Sequence, residues 1–278
     1  MRAHLTQTRF HLNLRPMYER ESDKPVACVR AGSTAIVTLN GKGNALTVAT
    51  LAALRATLLE LGEDRDIRVV ILTGSGTETF SIGADLDELA QMDSDEARAF
   101  ARSGIEVANI IEKFGKATIA AVNGFAIGVG SEIALACHLR IAVSGATLTA
   151  SELPLGLTPV LGFSRRLGRL VGKARALEMA LTGNGLSAIE AERLGVFNRL
   201  VTPETLIPEA VSLAEEIGRG APVAMQKVLE AVGRGFDLPM EDALMLEEGL
   251  FTGCFETDDM REGVRAFLEK RSPEFKGQ

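Results

Sequence analysis

Apolar residues in the first two thirds of the chain cluster in short runs that end at a glycine. The runs VVILTG (69–74), IAAVNG (119–124) and RIAVSG (140–145) are rich in β-branched residues and do not alternate with polar ones. Such runs are typical of strands that are buried on both faces. The first two runs begin 50 residues apart, and each is followed by a loop and a helical pattern. This spacing predicts successive strand-strand-helix turns of one α/β spiral, in which equivalent loops stack.

After Gly185 the pattern changes to amphipathic helices. SAIE (187–190) predicts a capping box, and a proline after Thr202 predicts the start of another helix. Two further amphipathic segments follow, PMEDALMLEEGLF and TDDMREGVRAFLEKR. We therefore predict a poorly packed N-terminal extension (1–24), an α/β core (25–200) and a C-terminal helical region (201–278) that needs a partner surface, either its own core or another subunit.

Composition narrows the class of protein. The 278 residues carry 30 basic and 37 acidic side chains, a net charge of −7 that disfavours nucleic acid as a partner. Apolar runs stay well short of the roughly 20 residues that cross a bilayer, which excludes a membrane span. Three widely separated cysteines without a CxxC motif indicate neither a disulfide framework nor a zinc site. A reducing, cytoplasmic compartment fits this cysteine usage.

The stretch NGFAIGVGSE (123–132) joins a predicted strand to a predicted helix through three glycines. One interpretation is a dinucleotide-binding turn with a pyrophosphate on the helix N-terminus. Against it, the motif lies far along the chain, and the only tyrosine lacks the Tyr-x3-Lys spacing of short-chain dehydrogenases. The other interpretation is an oxyanion hole built from backbone N–H groups. The earlier loop TFSIGADL (79–86) supports it, because Ala84 lies 45 residues before Val129 and the two N–H groups then converge.

Two glutamates near these loops are candidates for acid–base chemistry. Glu132 begins a helix that is apolar on every side, and burial without a nearby cation raises the pKa of a carboxyl group. An alternative is a solvent-exposed carboxylate that only complements the helix dipole. Glu152 follows twenty residues later, and its alternative is a solvated loop residue. As a pair beside an oxyanion hole, the two carboxylates suit chemistry next to a carbonyl group.

Several segments together resemble a known superfamily. They are FSIGADL, IAAVNGFAIGVGSEIALACHLRIA, SELPLGLTPVLGFSRRL, LTGNGLSAIEAERLGVFNRLV and RAFLEKRSPEFKG. With these segments the chain resembles the crotonase superfamily, and within it enoyl-CoA hydratase, from about Thr34 to Lys276.

The resemblance implies a crotonase-like spiral core and a C-terminal helical region that builds homotrimers, commonly paired into hexamers. It implies an acyl-CoA thioester substrate and no cofactor other than the coenzyme A of that substrate. The thioester oxygen would accept the N–H groups of Ala84 and Val129. Glu132 would orient and deprotonate water, and Glu152 would exchange the proton at the α-carbon. The residues implied to contact CoA or substrate are Lys42, Ser81, Ile82, Gly83, Leu86, Gly128, Phe267 and Lys270.

Some residues depart from the family pattern. Val129 replaces the usual glycine of the oxyanion hole, and its N–H remains a donor only if the local φ suits a β-branched residue. Asp87 stands where some members have a lysine, and His138 replaces a common aspartate. Phe267 and Lys270 have an equally good explanation as a core aromatic and a cation at a helix end. The alternatives to hydration are another crotonase reaction (isomerase, decarboxylase or thioesterase) and a non-catalytic acyl-CoA-binding protein.

Overall fold

The computed structural model describes residues 24–278, so almost all of the predicted N-terminal extension lies outside the described residues. Within that range the strands form one six-stranded and one four-stranded sheet. They are β1 (Val26–Ala31), β2 (Thr34–Leu39), β3 (Val69–Gly74), β4 (Thr79–Ser81), β5 (Ala117–Val122), β6 (Phe125–Ile127), β7 (Leu139–Val143), β8 (Thr147–Thr149), β9 (Leu186–Ser187) and β10 (Arg199–Val201). The helices are α1 (Val48–Glu63), α2 (Leu86–Leu89), α3 (Ser94–Glu112), α4 (Val129–Ala136), α5 (Phe163–Val171), α6 (Lys173–Thr182), α7 (Ala188–Arg193), α8 (Leu206–Gly218), α9 (Pro222–Gly235), α10 (Met240–Thr252) and α11 (Asp258–Leu268).

The larger sheet has the order β1-β2-β3-β5-β7-β10 and is parallel from β2 onward. Every residue of β3 and β5 is buried, as the uninterrupted apolar runs predict, and so is every residue of β2. Val69 pairs with Ala117 and Ile71 with Ile119, a repeat of 48 residues. The two apolar runs begin 50 residues apart in the sequence, two more than the spacing of the paired residues. Because side chains alternate with a period of two along a strand, a difference of two leaves each side chain on its expected face.

The smaller sheet stacks the second strands of successive turns. Its order is β4-β6-β8-β9, and β4, β6 and β8 run parallel. Because parallel strands end at the same edge of a sheet, the loops after β4 and β6 lie side by side. The predicted spiral of strand-strand-helix turns is therefore confirmed, and it brings the two glycine-containing loops together.

The C-terminal helices divide into a buried and an exposed group. Helix α8 packs on β3 and β5 and buries most of its apolar face, beginning with Leu206 and Ile207. Helices α9 and α10 contain no buried residue. Large apolar side chains on and beside α9, α10 and α11 are more than half exposed: Val228, Val232, Phe236, Met240, Leu244, Met245, Phe251, Val264, Phe267 and Leu268. The domain boundary at residue 200 stays a prediction, with α8 attached to the core sheet.

Two predicted helix starts have different outcomes. Ser187 and Glu190 form the expected capping box at α7. After Thr202 the chain first makes a 3₁₀ turn, Pro203–Thr205, and only then enters α8. None of the helices within residues 24–278 has the length and apolar character needed to cross a bilayer.

Candidate active site

Two glycine-containing loops meet at the edge of the smaller sheet. Gly83 and Gly128 both have positive φ, +89° and +53°, a region that favours glycine. A Cβ added at Gly83 would lie 2.7 Å from the carbonyl oxygen of Ile127 and 3.5 Å from the backbone nitrogen of Val129. Only glycine at position 83 permits this contact, so the loops after β4 and β6 touch through their backbones.

Two backbone N–H groups in these loops are free to bind a ligand. The Gly83 carbonyl accepts the N–H of Leu46 at 2.7 Å, and the Gly128 carbonyl accepts the N–H of Glu132 at 3.1 Å. Because a trans peptide directs its N–H opposite to its C=O, the N–H groups of Ala84 and Val129 point away from those partners. Neither has a backbone acceptor among the described residues. The sequence-predicted donors are thus a pair of unsatisfied N–H groups on abutting loops.

Val129 is accommodated because its neighbour takes up the unusual torsion. Gly128 has φ 53° and ψ −126°, whereas Val129 is the first residue of α4 and lies outside the positive-φ region. The local φ therefore suits a β-branched residue, which is what the N–H of Val129 needs in order to remain a donor. Its side chain is 7% exposed and packs in the core.

Small and polar residues support the contact between the two loops. Ser81 has no exposed surface, and its Oγ accepts the N–H of Gly83 at 3.1 Å. A Cβ at Gly130 would lie 2.7 Å from the Ser81 carbonyl oxygen, which explains the third glycine. Ser131, which sequence analysis missed, places its Oγ 2.6 Å from the Ala126 carbonyl and 2.8 Å from that of Thr149. It ties α4 to β6 and β8; a serine after a Gly-x-Gly was the only signal.

Glu132 is fully buried, and backbone donors fix its carboxylate. Oε1 accepts the N–H of Leu161 at 2.7 Å and of Phe163 at 2.9 Å, and Oε2 lies 3.3 Å from the N–H of Val160. Phe163 is the first residue of α5, whose N-cap is a glycine without a capping side chain. Glu132 therefore caps α5 with a carboxylate that comes from α4. Sequence analysis missed these donors, since backbone groups 28 to 31 residues away leave no motif.

The electrostatics of Glu132 are those of a proton acceptor near neutral pH. The pKa of its carboxyl group is raised from the usual 4.5 to about 7. Burial is the main cause and the charge of Glu152 a lesser one, while the N–H groups of Val160, Leu161 and Phe163 oppose the rise. The sequence-based expectation of a raised pKa is confirmed. A carboxylate with this pKa is suited to general-base catalysis at physiological pH.

Glu152 lies next to Gly128. A Cβ at Gly128 would approach its Oε1 to 2.8 Å. The residue is 9% exposed, and its buried Oε2 has no hydrogen-bond partner. Burial raises the pKa of this carboxyl group, against the lowering effect of its own N–H and that of Ser151. Two buried carboxyl groups thus lie near the turn at Gly128 that carries the N–H of Val129, and the charge of Glu152 raises the pKa of Glu132.

Of the two departures Asp87 and His138, the hydrogen bonds of the structure give a role to His138. His138 accepts the N–H of Thr118 on Nδ1 at 3.1 Å, which leaves Nε2 as the protonated nitrogen donating to the Glu112 carbonyl at 3.2 Å. Burial lowers the pKa of His138, in keeping with this neutral tautomer. Asp87 is exposed in the first turn of α2, where Asp85 is the N-cap. Neither side chain reaches the carboxylate pair through a described hydrogen bond.

The residues implied to bind CoA are not all near the carboxylates. Lys42 is exposed, and its turn touches the first loop because Gly43 accepts the N–H of Ile82 at 2.9 Å. Ile82 and Leu86 are 41% and 56% exposed and rim the site. Phe267 is 84% exposed at the end of α11, and Lys270 follows with a φ of 56°. No described hydrogen bond within this chain links those last two residues to the carboxylates.

Comparison with known proteins agrees with this geometry. Residues 30–278 match the family Enoyl-CoA hydratase/isomerase. The short-chain-enoyl-CoA hydratase of Clostridium acetobutylicum is 39% identical over 247 residues, 88% of this chain and 95% of that protein. The crotonyl-CoA hydratase of Syntrophomonas wolfei is 38% identical over 84% of this chain and 89% of its own length. A crystal structure of an enoyl-CoA hydratase from Bacillus anthracis superposes with a TM-score of 0.89 at 35% identity, covering 91% of this chain and all of that one.

The chain therefore belongs to the enoyl-CoA hydratase/isomerase family and has the crotonase fold. The resemblance seen in the sequence, the predicted fold class and the expectation of an enzyme of the enoyl-CoA hydratase type are confirmed. The interpretation of the glycines as a dinucleotide-binding turn is wrong.

Proposed function

We propose that this enzyme adds water reversibly to the double bond of a 2-enoyl-CoA thioester. The observation that carries the proposal is the fully buried Glu132, with a pKa of about 7, facing a second buried carboxyl group beside two unsatisfied N–H groups. Relatives named short-chain-enoyl-CoA hydratase and crotonyl-CoA hydratase support it and favour a short acyl group.

In the proposed reaction the thioester carbonyl binds the N–H groups of Ala84 and Val129. Ionised Glu132 takes a proton from water as the oxygen attacks the β-carbon, and negative charge moves onto the thioester oxygen. The two N–H groups stabilise that charge in a site that excludes bulk water. Protonated Glu152 then delivers its proton to the α-carbon, and the glutamates are reset when the proton on Glu132 returns to Glu152.

Unequal environments support this division of roles. The carboxylate of Glu132 accepts two short N–H bonds, which favour its ionised form. Glu152 has an oxygen without a partner, and an unsatisfied buried oxygen favours protonation. The charge of Glu152 raises the pKa of Glu132, so the two carboxyl groups are close enough to interact electrostatically.

The first prediction tests the carboxylate pair. Glu132→Gln and Glu152→Gln keep the side-chain shape but remove the acid–base group, so each should lower kcat for crotonyl-CoA by about 10²–10⁴-fold. The measurement is the rate at which the enone absorbance of crotonyl-CoA is lost. Glu60→Gln, at a 72% exposed side chain on α1, is the matched control and should retain wild-type turnover.

Near wild-type turnover in either glutamine variant would refute the two-carboxylate mechanism. If crotonyl-CoA binds but is not hydrated by the wild-type enzyme, while a 3-enoyl-CoA is converted to the 2-enoyl isomer, the function is isomerisation rather than hydration.

We further propose a homotrimer, or a hexamer of two trimers, in which α9, α10 and α11 cover a neighbouring subunit. The exposed apolar side chains of this region support the proposal, because an unpaired apolar surface of this kind marks an interaction site. In such an assembly Phe267 and Lys270 would contact the CoA of the adjacent subunit, and Lys42 the CoA of its own.

The second prediction tests this assembly by light scattering. The wild-type chain should run as a trimer or hexamer at micromolar concentration. Phe251→Asp, at a 67% exposed side chain of α10, should release smaller species, whereas Leu59→Asp, at a 44% exposed side chain of α1, should not. A stable wild-type monomer would refute both the assembly and the cross-subunit role of Lys270.

The proposed reaction needs no cofactor beyond the coenzyme A of its substrate. The cytoplasmic location stays a prediction from cysteine usage; Cys28, Cys137 and Cys254 are free thiols in the structure.

A further inference from the structure

The chain segment that binds Glu132 is itself held from behind by an arginine. Arg166, on the first turn of α5, has a side chain that is only 11% exposed. Its Nη1 donates to the carbonyl oxygen of Leu161, and its Nη2 donates to Oε2 of Glu112 at 2.8 Å. Asn109 lies 3.4 Å from the same Nη2. The guanidinium thus joins the end of α3 to the loop before α5.

The anchored carbonyl lies between the two strongest donors to Glu132. It belongs to the peptide that joins Leu161 to Gly162, whereas the N–H groups that bind Oε1 belong to the peptides on either side of it. Gly162 has a φ of +102° and no side chain to restrain the loop. The Arg166 side chain therefore supplies the restraint that the glycine lacks.

The fork shape of the guanidinium suits this task. One nitrogen binds a carbonyl and another binds a carboxylate in a fixed relative direction, which an ammonium group cannot reproduce. The third nitrogen, Nε, is buried without a hydrogen-bond partner, so the two Nη contacts set the position of the group.

We propose that Arg166 is a positioning residue for the general base: by holding the Leu161 carbonyl against Glu112, it keeps the N–H groups of Leu161 and Phe163 aimed at Glu132. This inference rests on the proposed role of Glu132. Glu152 is the charged group that acts on that carboxylate, and Arg166 on α5 forms an ion pair with Glu112 on α3 behind the loop that binds it.

Substitution of Arg166 should disturb the base rather than substrate binding. Arg166→Met keeps most of the side-chain volume and should lower kcat for crotonyl-CoA by about ten- to hundred-fold, since small misplacements of a catalytic group have effects of this order. KM should change little. Weaker N–H bonds favour the protonated carboxyl group, so the acid limb of the kcat–pH profile should move to higher pH.

The structure also offers a rescue experiment. Arg166, Glu112 and Leu161 line a cavity of about 770 Å³ between α3, α5 and α9, which gives a small cation access to the guanidinium position. Methylguanidinium should restore part of the kcat of Arg166→Ala and should have no such effect on Glu132→Gln. Arg165→Met is the matched control, because Arg165 lines the same cavity but pairs with Asp237 and is 61% exposed; its kcat and pH profile should stay those of the wild type.

Wild-type kcat and an unmoved acid limb in Arg166→Met would overturn the inference, and so would a lower kcat without a shift of the limb. If the Arg166 variants do not fold, Glu112→Gln decides, because it removes the carboxylate contact and leaves the arginine. It should shift kcat and the acid limb in the same directions by a smaller amount, and no shift would overturn the proposal. If Glu132→Gln is inactive while Arg166→Met has the kcat and pH profile of the wild type, the inference on Arg166 is wrong and the proposed function stands. If Glu132→Gln is active, the proposed function itself is wrong.

Discussion

The two carboxyl groups of the site are held by different kinds of structure. Glu132 lies in a regular helix, has no exposed surface and receives short N–H bonds from the start of a second helix. Glu152 precedes a 3₁₀ turn, Leu153–Leu155, retains 9% exposure and has an oxygen without a partner. Backbone donors fix the carboxyl group of Glu132 in position, whereas Glu152 keeps an oxygen that no group in the described chain binds. In the proposed mechanism this difference is what lets two residues of the same type act as base and acid.

Helix α4 connects this comparison to the oxyanion hole. Its first turn presents Val129 and Glu132, and its last turn is bound by the buried guanidinium of Arg140. Arg140 donates from Nη1 to the Cys137 carbonyl and from Nε to the Val196 carbonyl at 2.7 Å. A cation at a helix C-terminus and negative charge at its N-terminus both complement the helix dipole. The Arg140 cation at its C-terminus and the helix dipole together make the N-terminus of α4 a favourable place for negative charge.

After the glutamate substitutions themselves, the largest effect is expected from Val129, which follows Gly128 at the start of α4. Val129→Pro removes the N–H donor at the first helical position, where proline fits the helix. Loss of one oxyanion donor typically costs about 2.7–4 kcal/mol, or about 10²–10³-fold in kcat. We expect a loss of this size for crotonyl-CoA, with the fold retained by circular dichroism.

Val129→Gly provides the matched control because it keeps the N–H. Its turnover should change only modestly, since Gly128 already adopts the unusual torsion of the turn. Hydration that rises by orders of magnitude in Val129→Gly would instead show that the natural valine blocks the reaction. A proline variant with normal kcat would remove Val129 from the oxyanion hole.

The regular half of the site could be predicted from the sequence. Strand runs such as VVILTG are recognisable because burial on both faces requires apolar residues throughout. Glu132 could be identified because a carboxylate in an otherwise apolar helix has few explanations. The loop spacing indicated Ala84 and Val129 as N–H donors, and resemblance to a known superfamily assigned them to the thioester oxygen and Glu152 to the α-carbon; these roles stay predictions.

The groups that hold the site could not be predicted. The N–H donors of Leu161 and Phe163 are backbone atoms, which every residue but proline has, and their position depends on how α5 packs against α4. The role of Arg166 depends on the same packing. The two-residue difference in strand register has a related cause, because pairing is set by hydrogen bonds between strands rather than by the glycines that end them.

The smallest expected effect is on how the free energy of unfolding depends on pH. This dependence should differ between Glu132 and Glu152. The pKa of Glu132 is raised from 4.5 to about 7 in the folded chain. A raised pKa means that the folded state binds the proton more tightly than the unfolded state, so the stabilising contribution is complete below pH 4.5 and is lost as the pH rises through about 7. The shift corresponds to a contribution on the order of 3 kcal/mol.

Glu132→Gln has no group to titrate at this position, so its stability should depend less on pH than that of the wild type. Thermal unfolding at one fixed protein concentration, followed from pH 4.5 to pH 8, should show the wild-type midpoint falling relative to the variant as the pH rises. Glu152→Gln should show the same change to a smaller extent, because the carboxyl group of Glu152 keeps some contact with solvent.

Parallel curves for the wild type and Glu132→Gln would mean that the folded chain does not raise the pKa of Glu132. The acid limb of the kcat–pH profile would then have to come from a group other than Glu132. A larger change in Glu152→Gln would reverse the comparison and make Glu152 the more strongly perturbed group.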